Sequence, residues 1–561
     1  MTSQMKTRRS GAKIMASLII LLGSLSYIII AAVINGVLGF MCSMGVTVFG
    51  AVGIAKVLGE AIAMDYWLII TLTIVCGALR GLLRYIEQYS NHYIAFRLLA
   101  VLRDKIFKAL RVLCPAKLET KQKGSIIAMI TSDIETLEVF YAHTISPVCI
   151  AALMSVIICL FVGFVSSWWL SLVAFIGFVS IGIVVPLISS SALKASGVKY
   201  RAEFASFNAY FLDSIKGIKD IVFHNAGEER EKEVSIRSDK LLKETMSMKN
   251  NTTKAAAATE LTVTMFIILT LAVGILLVKQ DTLTIGRMII GMVAVFGSFG
   301  PVIAVAALPG NLTQTFASGD RVLDLLAEKP VVEEVKGGEN ISYETLNVNN
   351  LAFGYNNTAV LNDVCMNAKK GEIIGIVGES GCGKSTLLKL LLRFWQKNEG
   401  EILYNGIDID HVNTDSLLGN MTMVNQNTYL FDMSIEENLK IANQNASPDE
   451  LEAACRMASI HDFIMSLPNG YKTQVGVLGD NLSAGEKQRI GLARAFLRGS
   501  ELILLDEPTS NVDSINEGII LKALAEQKNK KSIILVSHRE STMAIADRVY
   551  KIKDGRMAEV I

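Results

Sequence analysis

Apolar residues over the first three hundred positions come in long uncharged runs, and beyond about residue 345 they come in short blocks broken by glycine and charge. A helix that crosses a bilayer takes roughly 20 apolar residues. Six runs qualify: 14–36, 66–86, 145–165, 168–188, 260–279 and 285–307. The stretch 37–65 is also apolar and glycine-rich, so it extends the first helix, folds back at the outer surface or adds a seventh span. Between the second and third runs, and again between the fourth and fifth, charge recurs at helical period with apolar residues between, as in Phe96 to Arg103. This predicts membrane helices that continue past the bilayer, with turning points at 115–125 and 213–217 where a short crosswise helix forms. A last amphipathic helix over 317–326 is closed by Pro330. From 345 onward short apolar strands alternate with helical patterns, the pattern of an α/β sheet domain. The expected division is a membrane domain over 1–325, a linker over 326–344 and a soluble domain over 345–561.

At 561 residues the chain exceeds the size at which a single core stops growing. Lys and Arg number 54 against 53 Asp and Glu, so net charge gives no reason to expect a nucleic-acid partner. The placement of charge says more. Lys6, Arg8, Arg9 and Lys13 precede the first run, and Arg97, Arg103, Lys105, Lys108, Arg111, Lys117 and Lys121 follow the second. Positive flanks stay on the cytosolic side, which puts the N-terminus, both long excursions and the soluble domain there. The run after Lys13 outlasts the apolar core of a signal peptide and lacks a small-residue cleavage site, so it reads as a first membrane helix. That architecture points to a bacterial cytoplasmic membrane. The eight cysteines show no C-x-x-C pair and no zinc spacing, and are expected as buried free thiols, with Cys382 beside the chemistry.

Gly378, Glu379, Ser380, Gly381, Cys382, Gly383, Lys384 and Ser385 fill every fixed position of the pattern G-x-x-x-x-G-K-[ST], between an apolar strand (373–377) and a helix start at Thr386. Glycines let successive N–H groups turn round an anion at a helix N-terminus. Lys384 then reaches the outer phosphates of a nucleotide and the Ser385 hydroxyl ligates Mg²⁺. A second apolar strand (502–505) ends in Asp506 and Glu507, at the edge where open α/β sheets take ligands. Asp506 suits coordination of Mg²⁺ through water, and Glu507 suits polarising the attacking water.

Leu482-Ser483-Ala484-Gly485-Glu486 is similar to the L-S-G-G-Q signature of the ATP-binding cassette family, and the resemblance covers essentially the whole chain. It implies a membrane α-helical domain of six transmembrane helices, exporter type, followed by an α/β P-loop ATPase domain that uses ATP and Mg²⁺. It further implies that Tyr355 stacks on adenine, that Gln426 bridges metal and water, and that His538 hydrogen-bonds the γ-phosphate. The implied catalytic set is Glu507, His538, Lys384 and Gln426. Nucleotide contacts run from Gly378 through Thr386 with Tyr355, Gln426 and Asp506, and Ser385, Gln426 and Asp506 hold the metal. Ser483, Gly485 and Asp513 act in trans on a second cassette, so a single-cassette chain is a half-transporter that pairs with another, preferably different, half. Departures from the family pattern are Ala484, Glu486, Asn425 and Val477-Leu478.

The stretch from Arg84 to Ala100 resembles CydC-type subunits of thiol exporters, which implies export of cysteine or glutathione. By that resemblance the haem-associated histidine falls on His92, while Gln88 stands in place of the arginine one turn earlier. The alternatives are a half-exporter of lipid, drug or peptide, and a membrane-bound ATP-sensing module that transports nothing.

Overall fold

The computed structural model describes residues 9–21, 23–119, 123–355, 358–510 and 512–560. The chain divides into two compact units, Met1–Val112 with Lys121–Glu328 and Leu113–Thr120 with Lys329–Ile561.

In the first unit six helices are long and apolar enough to cross a membrane, among the described residues: α1 Ser26–Val57, α2 Tyr66–Leu113, α3 Gly124–Val165, α4 Trp168–Lys216, α5 Gly227–Lys279 and α6 Ile285–Ala306. The first crossing is not at 14–36. Gly11–Ile20 forms a separate short helix, Gly23 takes a left-handed φ of 46° that ends it, and α1 starts at Ser26. Ala32, Gly36, Gly39, Met44, Val48, Ala51 and Ala55 are buried along α1 at helical spacing. That single stripe carries the helix to Val57, which turns most of the ambiguous 37–65 stretch into its second half. Helices α2, α4 and α5 have 48, 49 and 53 residues. At about 1.5 Å per residue each exceeds twice the ~30 Å hydrocarbon layer, so they project well beyond it, as their charge period predicts. The short helices fall at Ala116–Glu119 and Ile218–Phe223, the second just after the expected 213–217. Past α6 the helix Pro309–Leu326 is tied to α3, where buried Asp133 accepts from Ser318 Oγ at 2.9 Å and from Arg321 Nε at 2.7 Å.

Among the described residues the second unit holds ten strands: β1 Thr345–Tyr355, β2 Thr358–Lys369, β3 Ile373–Gly378, β4 Glu399–Tyr404, β5 Ile407–Asp408, β6 Met421–Val424, β7 Leu502–Asp506, β8 Ser532–Ser537, β9 Arg548–Lys553 and β10 Arg556–Glu559. An antiparallel sheet has the order β2-β1-β4-β5, and a six-stranded sheet has the order β10-β9-β3-β8-β7-β6, parallel except for β10. Strands β7 and β8 are buried along their whole length, as continuous apolar runs require. Alternate residues feed opposite cores: Ile374, Leu504 and Ile534 pack with β1, β2 and β4, whereas Ile373, Ile503 and Ile533 pack beneath the helices of the other face. Residues 335–343, inside the expected linker, are strapped to this unit. Val335 N–H donates to Thr414 Oγ1, Ile341 N–H to Ser416 Oγ and Tyr343 N–H to Glu501 Oε2, each at 2.9 Å.

The cysteine expectation needs correction. None of the eight is in a disulfide, but Cys114, Cys149 and Cys365 are exposed and only Cys455 is fully buried. Apolar neighbours in sequence do not bury a thiol when the helix turns that face outward, as α3 does with Cys149.

Candidate nucleotide site

Register brings the site together. Val377 pairs with Ser537 and Asp506 with Val536, so the residues following β3, β7 and β8 emerge side by side at the carboxyl edge of the sheet. From β3 the chain turns through Gly381 (φ 84°) and Gly383 (φ 108°) into helix α7, Lys384–Leu391. Gly383 has no substitute: a β-carbon there would lie 2.6 Å from Leu361 Cδ2. Glu379, Ser380 and Gly381 are exposed at the tip of the loop, Cys382 is half-buried, and Thr386 is buried in the first turn of α7.

Lys384 is buried, and its ammonium donates to the Gly378 and Glu379 carbonyls, both at 2.8 Å. This ties the end of the loop back to its start. Ser385 Oγ donates to Asp506 Oδ1 at 2.8 Å. Burial pushes the Asp506 carboxyl above the ordinary aspartate range, against that hydrogen bond, and the charge of Glu507 adds to the rise. A buried carboxylate beside a hydroxyl, with Lys389 and Lys384 only partly offsetting its burial, is an oxygen donor set that a hard divalent cation would satisfy.

Glu507 takes a backbone conformation that sequence reasoning did not foresee. Its φ is 47°, a left-handed conformation uncommon for glutamate, while its N–H remains tied to Val536 O at 3.0 Å. The carboxylate then meets three groups at once. Gln426 Nε2 donates to Oε2 at 3.1 Å, His538 Nδ1 lies 3.3 Å from Oε1 and Lys384 Nζ lies 4.0 Å from it. A carboxylate hemmed in by an amide, an imidazole and an ammonium is oriented without being neutralised by a close ion pair. That arrangement suits a group that must take hydrogen bonds from water.

Tyr355 ends β1. Its hydroxyl is 3.3 Å from Thr386 Oγ1, and its ring meets those of Phe353 and Trp395 edge-on, each with centroids 4.9 Å apart. Gln426 follows β6, held from behind by a residue sequence reasoning missed. Gln488 donates to the Gln426 carbonyl at 2.9 Å and to that of Asn425 at 3.4 Å, and accepts from Thr428 Oγ1. No sequence signal marks it, because its partners are backbone atoms sixty residues away.

Ser483, Gly485 and Asp513 stand at other helix starts. Ser483 caps helix α8, Ala484–Arg498: its N–H donates to the Glu486 carboxylate at 2.7 Å and its hydroxyl accepts from Glu486 N–H at 3.4 Å. This reciprocal pair accounts for a glutamate at 486. A β-carbon on Gly485 would lie 3.0 Å from Asn516, whereas Ala484 is exposed. Asp513 caps helix α9, Ser514–Ala525, and hydrogen bonds from Asn516 hold its carboxyl below the usual range.

His92 lies apart from these, on α2. Its Nδ1 faces Glu138 Oε1 at 3.7 Å and its ring lies against Phe96 and His143.

Residues 20–302 match the family described as ABC transporter transmembrane region, and residues 361–510 match the one described as ABC transporter. A protein of Haemophilus influenzae named "Probable ABC transporter ATP-binding/permease protein" is 45% identical over 98% of this chain and 100% of its own length. "Multidrug resistance protein pgp-1" of Caenorhabditis elegans is 35% identical over 51% of this chain and 21% of its own length. Among solved structures, a bacterial Atm1-family ABC exporter with ATP bound shares the fold, with a TM-score of 0.82 at 22% identity, over 96% of this chain and 95% of the other.

Proposed function

The chain belongs to the ABC transporter family, an integral membrane half-transporter with one transmembrane region and one ATP-binding domain fused, and from that premise we propose that it hydrolyses ATP to export a small thiol. The observation that carries the hydrolytic part is the Glu507 carboxylate held among Gln426, His538 and Lys384. In this reading the N–H groups from Gly378 to Thr386 and the Lys384 ammonium bind the phosphates, and Tyr355 offers its aromatic surface to the base. Ser385 and Asp506, with Gln426, would hold Mg²⁺, whose charge offsets that of the phosphates. Glu507 orients the attacking water and accepts its proton, and His538 hydrogen-bonds the outer phosphate.

A second half supplies Ser483, Gly485 and Asp513 equivalents to this site and receives these residues at its own. The departures Ala484 and Glu486 favour a partner that is a different chain, because they leave this chain's catalytic set whole and alter only what it lends. Binding one nucleotide between two cassettes gives the differential affinity that opens the membrane cavity outward, and hydrolysis resets it. The ATPase domain then works on the cytosolic face of a bacterial cytoplasmic membrane, the side where Lys and Arg crowd the helix ends.

Cysteine or glutathione is the leading cargo, on the likeness of Arg84 to Ala100 to thiol-exporter subunits. A hydrophobic drug is the second reading, on the likeness to a multidrug resistance protein. The deciding experiment measures ATP hydrolysis by the chain in lipid, alone and co-purified with the product of its neighbouring gene, with and without cysteine and glutathione. Activity restricted to the pair and raised by a thiol supports the proposal. Activity of the single chain that responds only to hydrophobic amines replaces it with a homodimeric drug exporter.

A further inference from the structure

Helix α2 carries a run of polar side chains at and just past the far edge of its membrane segment: Arg84, Glu87, Gln88, Asn91 and His92. Glu87 and Asn91 are each only 1% exposed. Arg84 Nη1 pairs with Glu87 Oε2 at 2.6 Å, and Asn91 Nδ2 donates to Glu87 Oε1 at 3.3 Å. Asn91 Oδ1 is buried with no hydrogen-bond partner. An ion pair three residues apart adds little to a helix, whereas burying a carboxylate costs far more, and an apolar pair would pack here more cheaply. The charges therefore call for a use other than packing, the ordinary meaning of ionisable residues among membrane helices.

A cavity of about 240 Å³ lies against them, lined on its polar side by Arg84, Glu87, Gln88 and His143. The end of helix α6 places Ala304, and Ala307 just past it, on the cavity wall, small side chains that leave the room. The Phe40 ring, which also lines the cavity, lies 5.0 Å from the Arg84 guanidinium carbon. A cavity of this volume admits an amino-acid-sized molecule. Its level is consistent on separate helices. Arg84 is about 27 Å along α2 from Tyr66, and Ala304 about 28 Å along α6 from Ile285, which is the far edge of a ~30 Å hydrocarbon layer. With the N-terminus inside, that edge is cytosolic, where an exporter loads.

We propose that this cavity between α1, α2, α3 and α6 is a cargo-binding site for a small zwitterion, with Arg84 taking its carboxylate and Glu87 its ammonium. The proposal rests on the exporter reading above and names the chemical class of its cargo. Neither charge alone would favour such a ligand over a simple cation or anion. The two groups now pair with each other at 2.6 Å, and a zwitterion can exchange into that pair, its carboxylate replacing Glu87 at Arg84 and its ammonium replacing Arg84 at Glu87, with its side chain toward the alanines.

The test is equilibrium dialysis of the full-length chain in lipid nanodiscs against three thiols: L-cysteine, the cation cysteamine and the anion 3-mercaptopropionate. Cysteine is expected to bind at least tenfold more tightly than either fragment, the loss that one missing charge-assisted hydrogen bond produces. Glu87→Gln should weaken cysteine and cysteamine about tenfold and spare mercaptopropionate, and Arg84→Gln should weaken cysteine and mercaptopropionate and spare cysteamine. A folding defect would not give that crossed pattern, and the wild-type selectivity needs no variant at all. Equal affinity for the three thiols, absence of saturable binding by wild type that still binds MgATP, or stoichiometric haem with a Soret band at this cavity would each overturn the proposal. Cysteine-stimulated hydrolysis left unchanged in both variants would remove the cavity and keep the exporter. Cysteine bound at the cavity but never moved across a vesicle membrane would remove the exporter and keep the cavity.

Discussion

The phosphate-loop edge and the start of helix α8 carry comparable numbers of motif residues but are held together in opposite ways. At the loop edge the side chains hold one another across long stretches of sequence: Ser385 to Asp506, Gln426 and His538 to Glu507, Lys384 across its own loop. At the start of α8 the bonds are local, Ser483 with Glu486 three residues on. The first region is a chemical half-site already assembled within one chain. The second is a well-capped helix end with its ligand-facing surface turned outward, which is what a part lent to another molecule looks like. Damage at the loop edge should therefore abolish chemistry, and damage at α8 should show mainly as weakened pairing or stability.

The largest expected effect is that of Glu507→Gln. It keeps the size of the side chain, and Gln426 and His538 can still hydrogen-bond to it, but it removes the base that orients water. Steady-state hydrolysis at the site built on this loop should fall at least ~100-fold while ATP binding is retained. Hydrolysis within a few-fold of wild type, measured with the partner's own site inactivated, would mean that the assembled edge is not the catalytic one. Next in size is alkylation of Cys382. Its sulfur lies 4.0 Å from Lys384 Nζ inside the loop and is partly accessible. A maleimide should abolish nucleotide binding, and prior MgATP should slow labelling about tenfold, the occupancy expected well above Kd. Labelling of Cys365, exposed far from the loop in sequence, should be indifferent to nucleotide and serves as the internal control.

How much of this was legible in the sequence differs between the regions for the same reason. The strand, loop and helix around Gly378 to Ser385 are a contiguous pattern, and contiguous patterns read well. Six crossings were legible because hydropathy is summed over contiguous residues, yet the first was misplaced. Residues 14 to 57 are apolar throughout, and only the left-handed Gly23 and the buried stripe from Ala32 to Ala55 decide where the crossing begins. Glu507 was found by its place after a strand, but its φ of 47° was not, since it arises from tertiary pairing with β8. Gln488 was missed altogether, and so was the cavity beside Glu87, because each depends on which helix faces which.

Gln488 joins the two regions and gives a test of intermediate size. It sits on α8 but spends its amide on the backbone of Asn425 and Gln426 and on the Thr428 hydroxyl, all within the second unit. Gln488→Ala removes a buried amide from two carbonyls and a hydroxyl that water can still reach, at a cost of about 0.5–1.5 kcal/mol. The expected result is a several-fold loss of hydrolysis through misplacement of Gln426, with a shallower dependence on Mg²⁺. Gln488→Glu should be no better, since a carboxylate cannot donate to the two carbonyls. Unchanged Mg²⁺ dependence in both variants would separate the two regions entirely.

The smallest effect distinguishes a cap from a contact at Glu486. Its carboxylate accepts the Ser483 N–H while its own N–H reaches the Ser483 hydroxyl. A glutamine can make the same reciprocal pair, and an alanine cannot. Glu486→Gln, which restores the family residue, should therefore leave thermal stability of the ATPase domain unchanged, and Glu486→Ala should lower it by about 1 kcal/mol, the usual value of an N-terminal cap. The two variants part company in hydrolysis by the paired transporter. If position 486 serves only the helix, activity follows stability and Glu486→Gln behaves as wild type. If its charge also reaches the partner's nucleotide, Glu486→Gln should raise hydrolysis at the partner's site by relieving repulsion from the phosphates, without any change in melting. The exposed flank of Ser483 and Ala484 beside a carboxylate already bound into the cap favours the first outcome. Equal stability and equal activity are expected for Glu486→Gln, measured by calorimetry and by single-site turnover in the pair.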